Sequence, residues 1–254
     1  MTLDLPAETL LAALLASVRA AAWLAIAPPF SSRAIPTPVK ALLSVAISLP
    51  MLPHAVHAVP SLDIASILSA VVLQVAVGAA LGFLCYLIFV VVQVAGDLID
   101  VFGGFSLAFA FDPLAQTGGS VFGRLYQWTA LALLMTSGGY LIVLNGFLRT
   151  YRTIGLDGGL SQGPLLSTLT TGVGQMMLSA VQIAAPLLAV LFLADVALGL
   201  LTRVAPSLNA FAMGFPFKIL LTLLLVSSAF VGLPGVVDAV VQRIGHALVA
   251  VTGG

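Results

Sequence analysis

The fold class of this chain is decided by the stretch DVALGLLTRVAPSLNAFAMGFPFK, Asp195–Lys218. Its 24 residues hold an acid, an arginine, two prolines and a lysine within otherwise apolar sequence. A charge at hydrocarbon depth costs about 2.5–3.5 kcal/mol on insertion scales, and an interior proline frees a backbone carbonyl that lipid cannot satisfy. We therefore expect this segment to contact protein or a water-filled cavity over much of its length.

The composition of the whole chain is that of an integral membrane protein. Of its 254 residues, 61% are hydrophobic and 7% are charged, and the mean hydropathy is +1.19. Soluble domains carry about 25% charged residues. Long stretches free of Asp, Glu, Lys and Arg each reach the length of a transmembrane helix: residues 64–96, 125–148, 158–194 and 219–237. Nine basic and nine acidic side chains cancel, which argues against a nucleic-acid-binding surface.

Long apolar runs separated by prolines, glycines and polar residues predict an all-α, polytopic membrane protein. No linker is long or polar enough to separate domains, so we expect one helical membrane domain over residues 1–254. Helical segments are predicted over residues 7–27, 37–52, 62–95, 96–110, 121–149, 165–202, 207–231 and 234–251. The stretch 64–96 would measure ~50 Å as one helix, and 165–202 more, against a hydrocarbon core of ~30 Å. These helices must tilt, bend or project out of the bilayer, where protein must cover their apolar surface.

Small and polar side chains within the apolar segments indicate helix contacts. Gly78 and Gly82 have the spacing that lets two helices approach closely, either inside the chain or at a subunit interface. Gln175, Ser179, Gln182 and Pro186 fall on one helical stripe, which must face protein or a wet lumen. Both an internal hydrogen-bonding role and an assembly role remain open for this stripe.

The few charged residues within apolar sequence permit separate interpretations. Arg19 lies too far from Glu8 for a pair on one helix, which predicts an acid on another helix or subunit. Asp195 and Arg203 lie about two turns apart on one face; Arg203 either caps the helix end before Pro206 or joins an intersubunit ion pair. Asp97 and Asp100, on one side of a turn, mark either a proton relay or a solvated helix end.

The sequence contains no pattern typical of an enzyme. His54 and His57 stand in a proline-flanked loop with only Asp63 near them in sequence, which is weak evidence for a metal site. Paired acids, nucleophile–base spacing and a phosphate-binding glycine motif are not found. We therefore expect neither catalytic residues, nor metal ligands, nor a cofactor.

Three blocks of this sequence resemble the FliR/SctT family of type III secretion export proteins, in the same order and spacing along nearly the whole chain. The matching positions are Ala27, Pro28, Ser31, Arg33, Pro36 and Lys40; Gly104–Ala108 with Phe111–Pro113; and Ala197–Leu201, Arg203, Ala205, Pro206, Leu208, Asn209, Phe211, Gly214, Phe215, Pro216 and Lys218. The run Gly214-Phe215-Pro216 is similar to the flagellar branch. Where the family often has Asn-Gly-His-Leu, this chain reads Gly138-Gly139-Tyr140-Leu141, so no role of that His or Asn is carried over.

The resemblance implies a channel-forming subunit of the flagellar export gate, packed as bent helical hairpins, in the bacterial inner membrane and the flagellar basal body. It also implies partners: FliP and FliQ homologues in a helical complex, FlhB, FlhA, proximal rod proteins and unfolded flagellar export substrates. The alternative from another class is a secondary transporter that couples ions through Asp97, Asp100 or Asp195.

The segment 105–119 is the predicted moving part, since its bulky apolar side chains precede a helix-stopping Asp-Pro and a flexible Gly-Gly. By resemblance it plugs the closed channel; a re-entrant loop packed in the bundle is the other interpretation. The predicted plug residues are Phe105, Ser106, Leu107, Phe109, Phe111, Asp112, Pro113, Gly118 and Gly119. The predicted assembly contacts are Arg33, Lys40, Gly78, Gly82, Gln175, Gln182, Asp195, Arg203, Pro206, Asn209, Phe215, Pro216 and Lys218.

Overall fold

The secondary structure follows from long apolar runs that end at glycine, proline or a capping residue. A computed structural model of the chain describes residues 6–32, 34–106, 120–157, 162–205 and 210–251, and this part is helical with no strands. The helices are α1 (Ala7–Ile26), α2 (Thr37–Ser48), α3 (Leu52–Ala55), α4 (Ile64–Gly103), α5 (Val121–Thr136), α6 (Gly139–Thr153), α7 (Gln162–Val204) and α8 (Ala210–Val251). Short 3-10 turns, Leu49–Met51 and Val56–Ala58, flank α3. The prediction of an all-α protein is confirmed for these residues.

Three predicted helix boundaries are wrong. Helix α4 continues without a break between residues 95 and 96, and α8 continues through Pro234, which lies inside the helix. The predicted helix 121–149 is instead divided at Ser137 and Gly138. Gly138 has φ +74, in the left-handed region, so the right-handed helix cannot continue through it. A single proline in a long helix removes one hydrogen bond, whereas a left-handed residue ends the hydrogen-bond ladder.

Within the part of the chain that the structure describes, five helical stretches are long and apolar enough to cross a membrane, or six if α5 and α6 together form one span. They are Ala7–Ile26, Thr37–Ala55, Ile64–Gly103, Leu169–Val204 and Met213–Leu248. The polytopic membrane class predicted from composition is therefore confirmed.

The described chain forms two compact units. The first comprises Met1–Ile88, Gly138–Val173 and Val240–Gly254, and the second comprises Phe89–Ser137 and Gly174–Ala239. Helices α4, α7 and α8 thus each contribute residues to both units.

The first unit is centred on α1, whose small and apolar face packs against α2 and α3 and against Ala70 of α4. Trp23 stacks on Phe147 of α6 with ring centroids 4.4 Å apart, and Phe147 meets Tyr151 edge-on. The Tyr151 hydroxyl donates to the carbonyl of Ala16 at 2.7 Å. Aromatic packing and this hydrogen bond together hold α6 against α1.

In the second unit, the end of α4 packs with α5 and with the first half of α8. Its buried side chains include Ile99, Phe122, Tyr126, Leu191 and Thr222. Tyr126 contacts Phe230 of α8 with ring centroids 5.4 Å apart. This unit holds most of the residues that the sequence singled out for gating and assembly.

Candidate functional site

Asp100, in the last turn of α4, links the residues before the predicted plug segment to those after it. Its carboxylate accepts hydrogen bonds from the Ser120 hydroxyl and, at 3.1 Å, from the Phe122 amide. Ser120 is the N-cap of α5, and its hydroxyl accepts from the Gly123 amide at 2.7 Å. A carboxylate at a helix N-terminus satisfies amides that lack intrahelical partners and is stabilised by the helix dipole. Asp100 therefore joins the end of α4 to the start of α5.

The interpretation of Asp100 as part of a solvated helix end is wrong, because the residue is 2% exposed. Its Oδ1 atom is buried and has no hydrogen-bond partner among the described residues. Asp97 lies one turn earlier, with its Oδ1 atom against Gly123 of α5. Both acids of this turn thus face the N-terminus of α5.

Phe122 follows the predicted plug segment and contacts its first residue. Phe105, at the start of the segment, meets Phe122 edge-on, with ring centroids 5.0 Å apart. Gly96 of α4 lies against the Phe122 backbone, where a Cβ atom would come within 2.6 Å of its carbonyl. Close backbone approach and ring contact therefore hold the start and the end of this segment side by side.

Helix α8 packs against the same end of α4 through glycines. A Cβ atom at Gly103 would come within 2.7 Å of the hydroxyl oxygen of buried Thr222. Gly104 adopts φ +86, which favours glycine, and its Cα faces the ring of Phe215. The chain thus leaves α4 through a turn that only small residues fit beside α8.

Asp195 of α7 and Lys218 of α8 form an ion pair. The Lys218 ammonium lies 2.8 Å from Asp195 Oδ1 and 2.9 Å from Oδ2. Nearby, Gly214 lies against Leu198, where an added Cβ atom would come within 3.0 Å of a leucine methyl. The Thr222 hydroxyl donates to the Lys218 carbonyl at 2.8 Å, so the packing at Gly103 and the ion pair belong to one turn of α8.

The remaining predicted site residues fall into distinct positions. Arg203 is exposed in the last turn of α7, where a cation is favoured by the helix dipole, and Lys40 is half-buried in α2. Pro216 is exposed inside α8, and Ser106 is exposed beside half-buried Phe105. Several predicted residues lie outside the described residues: Arg33, Leu107, Phe109, Phe111, Asp112, Pro113, Gly118, Gly119, Pro206 and Asn209.

In the first unit, Arg19 has no acidic partner among the described residues, so the prediction of one is wrong. Its fully buried guanidinium donates to Gln74 Oε1 at 2.6 Å and to the carbonyls of Thr150, Ile154 and Gly155 at 3.3, 2.9 and 3.1 Å. It also lies 4.6 Å from the centre of the Tyr151 ring. Backbone carbonyls at the end of α6, one amide oxygen and an aromatic face replace a carboxylate, since together they supply the acceptors that a guanidinium needs.

Gly78 and Gly82 are used inside the chain, which corrects their assignment as assembly contacts. A side chain at Gly78 would collide with the carbonyl of Arg19, and one at Gly82 would come within 3.0 Å of the carbonyl of Trp23. Both glycines are buried. Their surface is therefore occupied by α1 and is closed to another subunit.

The stripe on α7 is exposed within this chain. Gln175, Gln182 and Pro186 are exposed and Ser179 is half-buried. Because exposed amides are costly in lipid, Gln175 and Gln182 remain candidates for contact with a partner or a wet lumen.

Comparison with known proteins shows the family of this chain. The model of the bacterial export proteins, family 1, matches residues 10–244. The chain is 31% identical over 203 residues to the flagellar biosynthetic protein FliR of Escherichia coli K12, covering 80% of this chain and 77% of that protein. The chain belongs to the FliR family of bacterial export proteins.

Relatives of this FliR-family chain include SpaR proteins as well as flagellar FliR proteins. It is 32% identical over 146 residues to FliR of Bacillus subtilis 168, covering 56% of each protein. It is 30% identical over 172 residues to the surface presentation of antigens protein SpaR of Salmonella typhimurium LT2, covering 68% of this chain and 65% of SpaR. The resemblance expected from the sequence blocks is confirmed.

Sequence reasoning missed three polar residues that organise this FliR-family chain: Gln74, Ser120 and Thr222. Gln74 is the first amide in an apolar run and is fully buried, and its side-chain nitrogen donates to the carbonyls of Gly155 and Leu156. Ser120 directly precedes an apolar run, which is a helix N-cap signal. Thr222 is the first polar residue after Lys218. A lone polar side chain within an apolar run is the signal that would have found Gln74 and Thr222.

Proposed function

We propose that this chain is a structural, channel-forming subunit of the flagellar type III protein export gate. In this role it is required for flagellum assembly and for the passage of unfolded substrates across the inner membrane at the basal body. Its membership of the FliR family supports a role in protein export. No enzymatic step is assigned to it; the function rests on assembly and on opening of a channel.

The observation that carries this proposal is the length of exposed apolar surface on α7. Met177 and Val204, 54% and 83% exposed, are 27 residues apart in this helix. At 1.5 Å per residue they are separated by ~40 Å, more than the ~30 Å of a hydrocarbon core even at the usual tilt of ~20°. Apolar side chains beyond the lipid must be covered by protein. A subunit of a larger assembly meets this requirement, and a monomer does not.

The partners that fit are those that the family resemblance implies. FliP and FliQ homologues would cover the exposed faces of α7 and α8, while FlhB, FlhA and rod proteins would contact the assembled gate. The residues assigned to assembly are Lys40, Gln175, Gln182, Asp195, Arg203, Phe215, Pro216 and Lys218, together with Arg33, Pro206 and Asn209. Gating is assigned to the segment that begins at Phe105 and ends before Ser120, with Asp100 and Phe122 supporting its two ends.

Co-expression tests the proposal. The chain is produced alone and together with the other membrane subunits of the same export apparatus, and each preparation is measured by native mass spectrometry in detergent. We expect aggregation or degradation of the chain alone and one discrete hetero-oligomeric mass on co-expression. The proposal would be contradicted if the chain alone were monodisperse and thermally stable and did not bind the other subunits.

The same preparation distinguishes the proposed gate subunit from the alternative of a secondary transporter. A secondary transporter purifies alone and binds a small solute, with a carboxylate that exchanges its ion with water. Asp100 is buried in contact with Ser120 and Phe122, and Asp195 is paired with Lys218, so both have structural partners already. Solute binding by the isolated chain, lost on substitution of Asp97, Asp100 or Asp195, would favour the transporter.

A further inference from the structure

The two side chains of the Asp195–Lys218 ion pair differ in their exposure. The Lys218 side chain is 18% exposed, whereas the Asp195 side chain is 47% exposed. Among the described residues, the hydrogen-bonding partner of Asp195 is Lys218, whose ammonium donates to Oδ2 at 2.9 Å and lies 2.8 Å from Oδ1. A carboxylate offers about four lone-pair sites, so this one keeps acceptor capacity on its exposed side.

The surroundings of Asp195 are apolar and open. Phe192, one turn before it, is 60% exposed, and Val196 is 44% exposed. Gly199, one turn after it, is exposed, with no atom of the described residues within 4 Å of where a Cβ atom would stand. Asp195 lies nine residues before the end of α7, inside a candidate membrane span. The Asp195 carboxylate would be unfavourable in contact with lipid, and the apolar side chains around it would be unfavourable in contact with water.

We propose that this face of α7 docks a helix of a neighbouring export-gate subunit that presents a lysine or arginine side chain to Asp195. The exposed half of the pair is an anion that can only accept hydrogen bonds, so a basic side chain is the complementary group. Phe192 and Val196 supply the apolar contacts around it, and the open space at Gly199 lets the partner backbone approach closely. This inference rests on the proposed function as a gate subunit.

Two double variants separate an external partner from a purely internal ion pair. The first, D195N/K218Q, replaces the pair by two neutral amides, and the second, D195K/K218D, exchanges the charges. Both keep positions 195 and 218 compatible with each other. With the other gate subunits co-expressed, we expect the amount of partner captured per amount of this chain to fall at least tenfold in both variants. Capture at the wild-type level by either one would overturn the inference.

A second measurement leaves the charges unchanged, so it also decides the matter if the double variants do not accumulate. A photo-crosslinking amino acid is placed at Val196, and a control is placed at Val231, which is 83% exposed on α8. We expect Val196 to crosslink to a peptide of another gate subunit with a lysine or arginine within one helical turn of the crosslinked residue. Crosslinking to lipid only, or to a peptide without such a residue, would overturn the inference.

Failure of this inference is distinguishable from failure of the proposed function. If the wild-type chain forms no complex with the co-expressed subunits, the proposed function fails. If the complex forms but either double variant captures the partner at the wild-type level, or the crosslink reaches only lipid or a peptide without a basic residue, the role of Asp195 fails and the proposed function stands.

Discussion

The Nε atom of Arg19 donates to the side-chain oxygen of Gln74 at 2.6 Å, while the side-chain nitrogen of Gln74 donates to the carbonyl of Leu156 at 3.2 Å. The two side chains thus bind the turn after α6 from α1 and α4 at once. Both residues are fully buried. A cation and an amide without a carboxylate can share this site because the carbonyls at the end of α6 carry the negative end of the helix dipole.

We expect Arg19→Ala to destabilise the chain by about 3–5 kcal/mol, since it leaves buried acceptors on Gln74 and the α6 end without a donor. Arg19→Lys should recover only part of this loss, because one ammonium cannot reach acceptors on both sides. Thermal unfolding of the assembled complex in detergent measures the effect. Arg152→Lys, at an exposed position on α6, is the control and should change little. A wild-type melting temperature for Arg19→Ala would show that the hydrogen bonds contribute nothing.

Gly78→Ala should force α1 and α4 apart, because the new methyl group would stand in the space of the Arg19 carbonyl. Overpacking of this kind costs about 1–3 kcal/mol. Gly232→Ala, inside α8 with no described atom within 4 Å of its Cβ position, should be neutral or slightly stabilising. The yield and melting temperature of the two variants are compared in parallel. Equal behaviour of both alanines would contradict the close packing of α1 on α4.

Ser120→Ala should weaken the start of α5 by about 1 kcal/mol, the usual worth of a helix N-cap. The variant also removes the donor that the Ser120 hydroxyl gives to Asp100. Hydrogen exchange of the Phe122 and Gly123 amides should become faster, while amides in the middle of α5 keep their protection. Ser137→Ala, beyond the other end of α5, is the comparison variant. Unchanged exchange at Gly123 would argue against the cap.

Deletion of Leu107–Leu114 should make the assembled gate leak ions if this segment plugs the channel. Membrane conductance or proton leak in cells that produce the complete gate is the measurement. Asp100→Ala, which leaves the segment intact but removes the acceptor for Ser120 and Phe122, should give a smaller leak in the same assay. A gate that stays tight after the deletion would remove the plug from the proposed function.

The class of this protein and most of its helices are predictable from the amino-acid sequence alone. Long runs without charge predict membrane helices because apolar length is a local property of the chain. The starts of α1 and α2 are also predictable, because each follows directly after a proline. The family is predictable from its blocks of spaced residues. Interruptions between helices are harder to predict. The sequence predicts a helix end at Pro234 and none at Gly138, and both predictions are wrong. The backbone angle at a glycine depends on its surroundings, which the sequence does not give.

Which polar groups contact each other depends on the tertiary packing of the helices. Arg19 binds carbonyls 131–136 residues away, Asp195 pairs with Lys218 across two helices, and Gly78 serves α1 in the same chain. A buried charge or a small residue needs some partner on energetic grounds, which sequence reasoning can state. The choice among acid, amide, carbonyl or another subunit depends on how helices distant in sequence pack, and neither composition nor spacing contains that geometry.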